Sequence, residues 1–231
     1  MKHIQLKVLV LCVLATLTLV NAYSSGSSDV PAGPESTSGT KAARSVSVAF
    51  VEGAALVDGN AVDFGDILPV KFIAKTEKGA RLDIVFDGNN ALSIGQNTIV
   101  DIDLSLLVPV VKLERGGVTS VLKKLEKIAT GDSFKVLTDQ TVMGVRGTSF
   151  CIWVDATSTY VCACNGEVRT MDAKGSNEET LVASHHTARL YTSKDSNLTV
   201  EAAGMLHHTD ELVESVASRI GYTIDWTTVD H

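Results

Sequence analysis

The chain has 231 residues, 45% of them hydrophobic and 20% charged, with 27 acidic against 20 basic side chains and a formal net charge of −7. That apolar content can bury the core of one ordinary domain without staples, which excludes a chain disordered throughout. A surface with more carboxylates than cations neutralises a phosphate backbone poorly, so no nucleic-acid partner is expected.

Lys2 and Lys7 precede an uncharged run from Val8 to Val20, followed by Val20-Asn21-Ala22. A basic start, an apolar stretch and a small-residue cleavage point are the layout of a secretory signal peptide over residues 1–22, cut near Ala22. The apolar run has 13 residues, short of the roughly 20 that a membrane-crossing helix needs, so no permanent membrane anchor is expected. Cys12 follows Leu11, where lipid attachment would need a small residue. The expected mature protein is periplasmic or secreted. It keeps 18 basic against 27 acidic residues, a net charge of −9, and three cysteines, Cys151, Cys162 and Cys164. Residues 23–43 are dominated by Ser, Gly and Pro and bury too little to offset their ordering entropy, so a flexible linker is expected there.

The folded part divides by pattern into residues 44–171, rich in strands, and an extension over 172–231. Ser45 to Phe50 alternates small polar with apolar residues, the period of a half-buried strand. Gly53, Gly59, Gly65, Gly79, Gly88 and Gly95 then break up short apolar stretches at 54–57, 70–74, 82–86 and 91–94. The pattern continues through 98–104, 110–113 and 134–137. An all-β fold of many short strands follows, as a sandwich, a jelly roll or a short solenoid. Asp58-Gly59 and Asp87-Gly88 are tight-turn pairs. Leu122, Leu125 and Ile128 fit one helical turn as well as a strand. Further on, Leu212, Val213, Val216 and Ile220 recur at helical spacing behind Asp210 and Glu211, with Gly221 placed to end the run. This spacing predicts one amphipathic helix at about 209–220. Tyr222, Ile224 and Trp226 then alternate, as an edge strand or a packed tail.

Phe64-Gly65-Asp66, Thr76, Gly79-Ala80-Arg81-Leu82, Asp87-Gly88, Leu92, Asn97-Thr98, Leu113-Glu114-Arg115-Gly116, Phe134-Lys135-Val136 and Val145-Arg146-Gly147-Thr148-Ser149-Phe150 occur in that order. From about Ser45 to Arg169 the chain resembles the periplasmic domain of the FecR family, named for the ferric-citrate regulator. The resemblance implies a β-rich extracytoplasmic domain of iron-related signalling which, in the best-known members, relays a receptor's state across the inner membrane to a sigma factor. Only about seven residues precede the apolar run, so a cytoplasmic sigma-regulating segment is not expected. A noncatalytic binding or sensing module of the bacterial envelope, with an envelope protein or glycan as partner, is.

One further pattern carries chemistry. If residues 155–158 form a turn between strands 147–154 and 159–164, Cys151 faces Cys162 and Trp153 faces Tyr160. Alternation then puts Trp153, Cys151, Tyr160, Cys162 and Cys164 on one face. All mature histidines come later: His185, His186, His207, His208 and His231. Thiolates and imidazoles suit zinc, copper or iron. Cys162, Cys164, His185, His186, His207 and His208 are therefore candidate metal ligands, with Cys151 as a third thiol or a disulfide partner. One ring of each adjacent pair should turn inward, and the helix start should favour the neutral imidazole at 207–208. The first reading of these residues is nevertheless structural, a Cys151–Cys162 disulfide with Cys164 a small buried hydrophobe and the histidines surface or capping residues; a metal-binding or thiol-redox site is the alternative to it. No nucleophile elbow is present, so no catalytic residue and no cofactor besides a metal are expected.

Overall fold

The computed structural model describes residues 44–123, 132–145, 147–194 and 197–230. The expected signal peptide at 1–22, the expected linker at 23–43 and His231 lie outside the described residues. So does most of the ambiguous 122–128 stretch, of which Leu122 closes a strand.

The described residues form fifteen strands and one helix. In chain order these are β1 (Val46–Glu52), β2 (Ala55–Val57), β3 (Asn60–Ala61), β4 (Lys71–Thr76), β5 (Arg81–Phe86), β6 (Asn90–Ile94), β7 (Ile99–Asp103) and β8 (Val110–Leu122). They continue as β9 (Phe134–Leu137), β10 (Thr141–Val145), β11 (Ser149–Val154), β12 (Ser158–Asp172), β13 (Glu179–Ala183), β14 (Thr187–Lys194), β15 (Asn197–Ala203) and α1 (Asp210–Ser218). One sheet runs β1-β5-β6-β8-β11-β12-β14-β15. The other runs β3-β2-β4-β7-β8-β9-β10-β12-β13, antiparallel except where β8 meets β9.

Two strands serve both sheets. Residues 110–115 of β8 pair in the second sheet and 116–122 in the first; β12 gives 158–165 to the first and 166–172 to the second. Each crosses over at a glycine with left-handed backbone, Gly116 (φ 79°) and Gly166 (φ 118°). A Cβ there would also strike Thr98 and Thr148, respectively, so neither position tolerates a side chain.

The alternating apolar residues of both sheets meet in one interior. Leu82, Ile84, Ile94 and Ile152 come from the first sheet, and Phe72, Val100, Ile102 and Val136 from the second, all almost fully buried. Phe134 sits between Phe86 and Phe150, with ring centroids 6.4 and 6.2 Å away. The architecture is thus the two-sheet form of the expected β fold. Asp58 and Gly59, both at positive φ, close the β2–β3 hairpin, the backbone such a two-residue turn requires.

A second, smaller apolar cluster covers the outer face of the first sheet. Ala91, Val121, Cys151, Tyr160, Cys162, Cys164 and Ala188 meet Val213, Val216 and Ala217 of α1 and Ile224 of the tail. The helix starts where the sequence places it. Thr209 caps it by accepting from the Leu212 N–H, and Asp210 and Glu211 occupy its first turn. It ends at Ser218, earlier than 220, and Arg219 bonds Asp83, which is fully buried and also pairs with Arg81 at 2.7 Å. Residues 222–230 form a packed tail and no strand. Among the described residues no helix is long and apolar enough to cross a membrane.

Candidate metal centre

The β11–β12 hairpin has the register that a four-residue turn dictates: Val154 opposite Thr159, Trp153 opposite Tyr160 and Cys151 opposite Cys162. Because Phe150 pairs with Ala163 and Ser149 with Asn165, Cys164 is the extra residue of a bulge. Both Cys162 and Cys164 are fully buried in the outer cluster. Cys151, Cys162 and Cys164 are all free thiols, so the cross-strand disulfide is not formed.

Two turns bring imidazoles to the sulfurs. His186 lies between β13 and β14, and its N–H donates to the Cys164 carbonyl at 3.0 Å. His208 lies between β15 and α1. That second turn is fastened by Tyr160, whose hydroxyl donates to the Gly204 carbonyl (3.0 Å) and accepts from the Leu206 N–H (3.1 Å). Cys162 Sγ is 3.5 Å from His186 Nδ1, Cys164 Sγ is 3.4 Å from His208 Nε2, the two ring nitrogens are 3.3 Å apart and the two sulfurs 4.0 Å. All four donor atoms lie within 4.8 Å of one another.

The outward nitrogens are held as well. His208 Nδ1 is 2.7 Å from the Leu206 carbonyl, which can only accept, so Nδ1 carries a proton and Nε2 faces the sulfurs. His186 Nε2 is 2.6 Å from Asp210 Oδ1, which likewise leaves Nδ1 facing inward. Carboxylate and carbonyl partners of this kind fix ring orientation in metal sites.

The electrostatics follow from the crowding. Cys162 is pulled down to about 3, chiefly because the Cys164 S–H donates to it, with the His186 and His208 rings adding to this against the opposing effect of burial. Cys164 is pushed well up by burial and by the neighbouring Cys162 sulfur. Burial lowers His208, but the Cys151 and Cys162 sulfurs outweigh it and raise the ring to about 10. His186 is also raised: burial opposes this, and the bonds to Cys162 and Asp210 prevail. Burial works to raise Asp210, and the hydrogen bonds of His186 and His185 bring it below the ordinary range. Two adjacent buried sulfurs cannot both be anionic without a cation between them, and a coordinating ion would remove the second proton outright.

Of the six candidate ligands, then, Cys162, Cys164, His186 and His208 converge. His185 and His207 do not join them. His185 is 49% exposed and bonds Asp210 Oδ2 at 3.0 Å; His207 stacks on Trp153, with centroids 4.8 Å apart and planes at 5°. Cys151 stays in the same cluster. Sequence reasoning missed three supporting residues. Asp210 was legible only as a helix-dipole partner. Trp226, beside both His185 and His186 at 4.9 and 5.2 Å, reads in sequence only as part of an edge strand or a packed tail. Asn165, buried next to Cys164, has its amide nitrogen within hydrogen-bond distance of three carbonyls, Ser184 (2.8 Å), Thr228 (2.8 Å) and Asp225 (3.1 Å), which its two N–H groups share, and this fastens the tail over the site; one asparagine in a strand gives no signal of that.

Comparison with known proteins places one part of the chain. Residues 73–169 match the model of the family described as FecR protein. The match starts later than the resemblance does and ends at the same residue, Arg169. It contains Cys162 and Cys164 but neither His186 nor His208. Two crystal structures of a candidate anti-sigma factor from Parabacteroides distasonis, at 2.50 and 1.65 Å resolution, are 14% identical to the chain with a TM-score of 0.46. Each alignment covers 56% of this chain and 59% of that one. No curated protein matches the chain.

Proposed function

With a FecR domain at residues 73–169 as its premise, we propose that this chain is a noncatalytic, metal-binding module of the bacterial cell envelope, exported by its signal peptide. Its metal site is Cys162, Cys164, His186 and His208.

The spacing of the donor atoms carries this reading. Metal–sulfur bonds of about 2.3 Å and metal–nitrogen bonds of about 2.0–2.1 Å at tetrahedral angles imply edges of about 3.8 Å (S–S), about 3.5 Å (S–N) and about 3.3 Å (N–N). Four of the six separations correspond closely, 4.0 Å for S–S, 3.5 and 3.4 Å for two of the S–N pairs and 3.3 Å for N–N, and the two remaining S–N pairs lie within 4.8 Å. Two thiolates and two imidazoles in that arrangement suit zinc(II) best among transition metals. Four protein donors, both sulfurs fully buried and His208 7% exposed, leave no coordination position for substrate, which is why the module is read as noncatalytic. The acidic composition and the FecR domain favour an envelope protein or glycan as partner.

Protein isolated from its native compartment without chelators should hold about one equivalent of zinc. Cys162 and Cys164 should react with thiol reagents only after chelation, and cobalt(II) should restore a tetrahedral thiolate absorption spectrum. Protein that arrives metal-free and gives no such spectrum with cobalt(II) would overturn the metal reading. The envelope reading predicts cell fractions in which the protein starts at Tyr23; an uncut chain confined to the cytoplasm would defeat it.

A further inference from the structure

The four-donor site is closed, so an ion needs a way in. A second group of donors lies at its surface: His185 Nε2, the Asp210 carboxylate and His186 Nε2, all within 4.8 Å of one another. Asp210 spans the group, with Oδ2 3.0 Å from His185 and Oδ1 2.6 Å from His186. Exposure falls across it, from 49% at His185 through 34% at Asp210 to 12% at His186. His186 belongs to both groups. Its Nε2 faces the carboxylate and its Nδ1 faces the sulfurs, so one ring joins the solvent-facing donors to the enclosed ones.

Resting on the metal reading above, we infer that His185, Asp210 and the outer nitrogen of His186 form a loading site for a divalent transition metal, which captures the hydrated ion and passes it to Cys162, Cys164 and His208. Carboxylate and imidazole suit this task because they bind more weakly than a pair of thiolates and can let the ion go. The ion remains divalent and no electron moves. While the ion rests on the outer group, His186 binds it through Nε2 and keeps its ring proton on Nδ1; as the ion moves inward that proton returns to Nε2, and the protons held by Cys164 and by His208 Nε2 leave to solvent.

A rival approach exists. A cleft of about 280 Å³ reaches Cys151 between Trp153, His207 and Arg81. Its lining has no carboxylate to capture an ion, and the Asp83 carboxylate bonded to Arg81 is already shared with Arg219. The Trp153–His207 stack stands at its edge.

The test uses His185→Ala and His185→Gln, which leave the four enclosed donors and the Asp210–His186 bond in place. Zinc uptake from a weak chelator and release to a strong one are followed by stopped flow, and equilibrium affinity by competition titration. A loading site lies on the path in both directions, so uptake and release should slow together, by about tenfold, with affinity unchanged. Unaltered rates, or faster release with weaker affinity, would overturn the inference while leaving the enclosed site standing. Wild-type protein that takes up no zinc overturns both readings.

Discussion

The two faces of the first sheet are built on different principles. Toward the second sheet, Leu82, Ile84, Leu92, Ile94, Ile152 and Val161 interlock with an opposing apolar layer. This interior is made of burial, and many positions share the work. The outer face carries Val121 with alanines, cysteines and a tyrosine under a nine-residue helix, a smaller apolar cluster than the interior. What converges there instead is a set of polar atoms: two sulfurs, two ring nitrogens, a carboxylate and a clamping asparagine. One sheet can therefore combine a core tolerant of small changes with a patch that depends on individual atoms.

The largest expected effect separates the two faces. Cys164→Ala should abolish zinc binding and remove whatever the ion contributes to the folded state, on the order of 10 kcal/mol for a closed zinc site. The metal-free protein should scarcely notice, because alanine fits a buried thiol's place with little loss. Thermal unfolding with and without chelator checks this: chelation should lower the wild-type midpoint and leave the variant's unchanged. Next comes the interior. Phe134→Ala should cost about 3–5 kcal/mol in denaturant unfolding, equally in loaded and metal-free protein; a cost that depends on metal would show the two faces to be coupled through the sheet. The smallest effect concerns the partner of His186. Asp210→Asn keeps the shape but weakens the acceptor, and should lower zinc affinity about 10- to 100-fold by competition titration. An unchanged affinity would mean that the turn alone orients the ring.

Much of the interior was legible in sequence because strand alternation and glycine punctuation are local signals. Leu82 to Phe86 and Phe134 to Leu137 fall within or on observed strands, Val70 to Ala74 overlaps one from Lys71 on, and the Cys151–Cys162 pairing follows from the length of one turn. The limits are equally physical. Strand β12 was expected to stop near Cys164, yet it bends at Gly166 and runs on to Asp172; a glycine that normally marks a turn here marks a passage between sheets. Strand β15 carries Leu198 and Val200 at strand spacing, but both are only partly buried and their neighbours are exposed, so its signal in sequence is just two residues long. Within the histidine pairs the rings divide inward and outward, but the reason differs from the one expected. His186 and His207 have left-handed backbone, φ 54° and 61°, so strand alternation does not govern where their rings point.

Strand β12 sends Tyr160, Cys162 and Cys164 to one interior and Val161 and Ala163 to the other. A slip of one residue would exchange the two sets. Alanine and cysteine are close in size, so packing alone distinguishes the slipped pairing weakly. An ion distinguishes it sharply, since a slipped chain offers it a methyl group in place of a sulfur. On the proposed function, metal retention would act as a proofreader of how the chain has been threaded: misassembled copies would emerge from folding empty, and could be told apart on that ground alone.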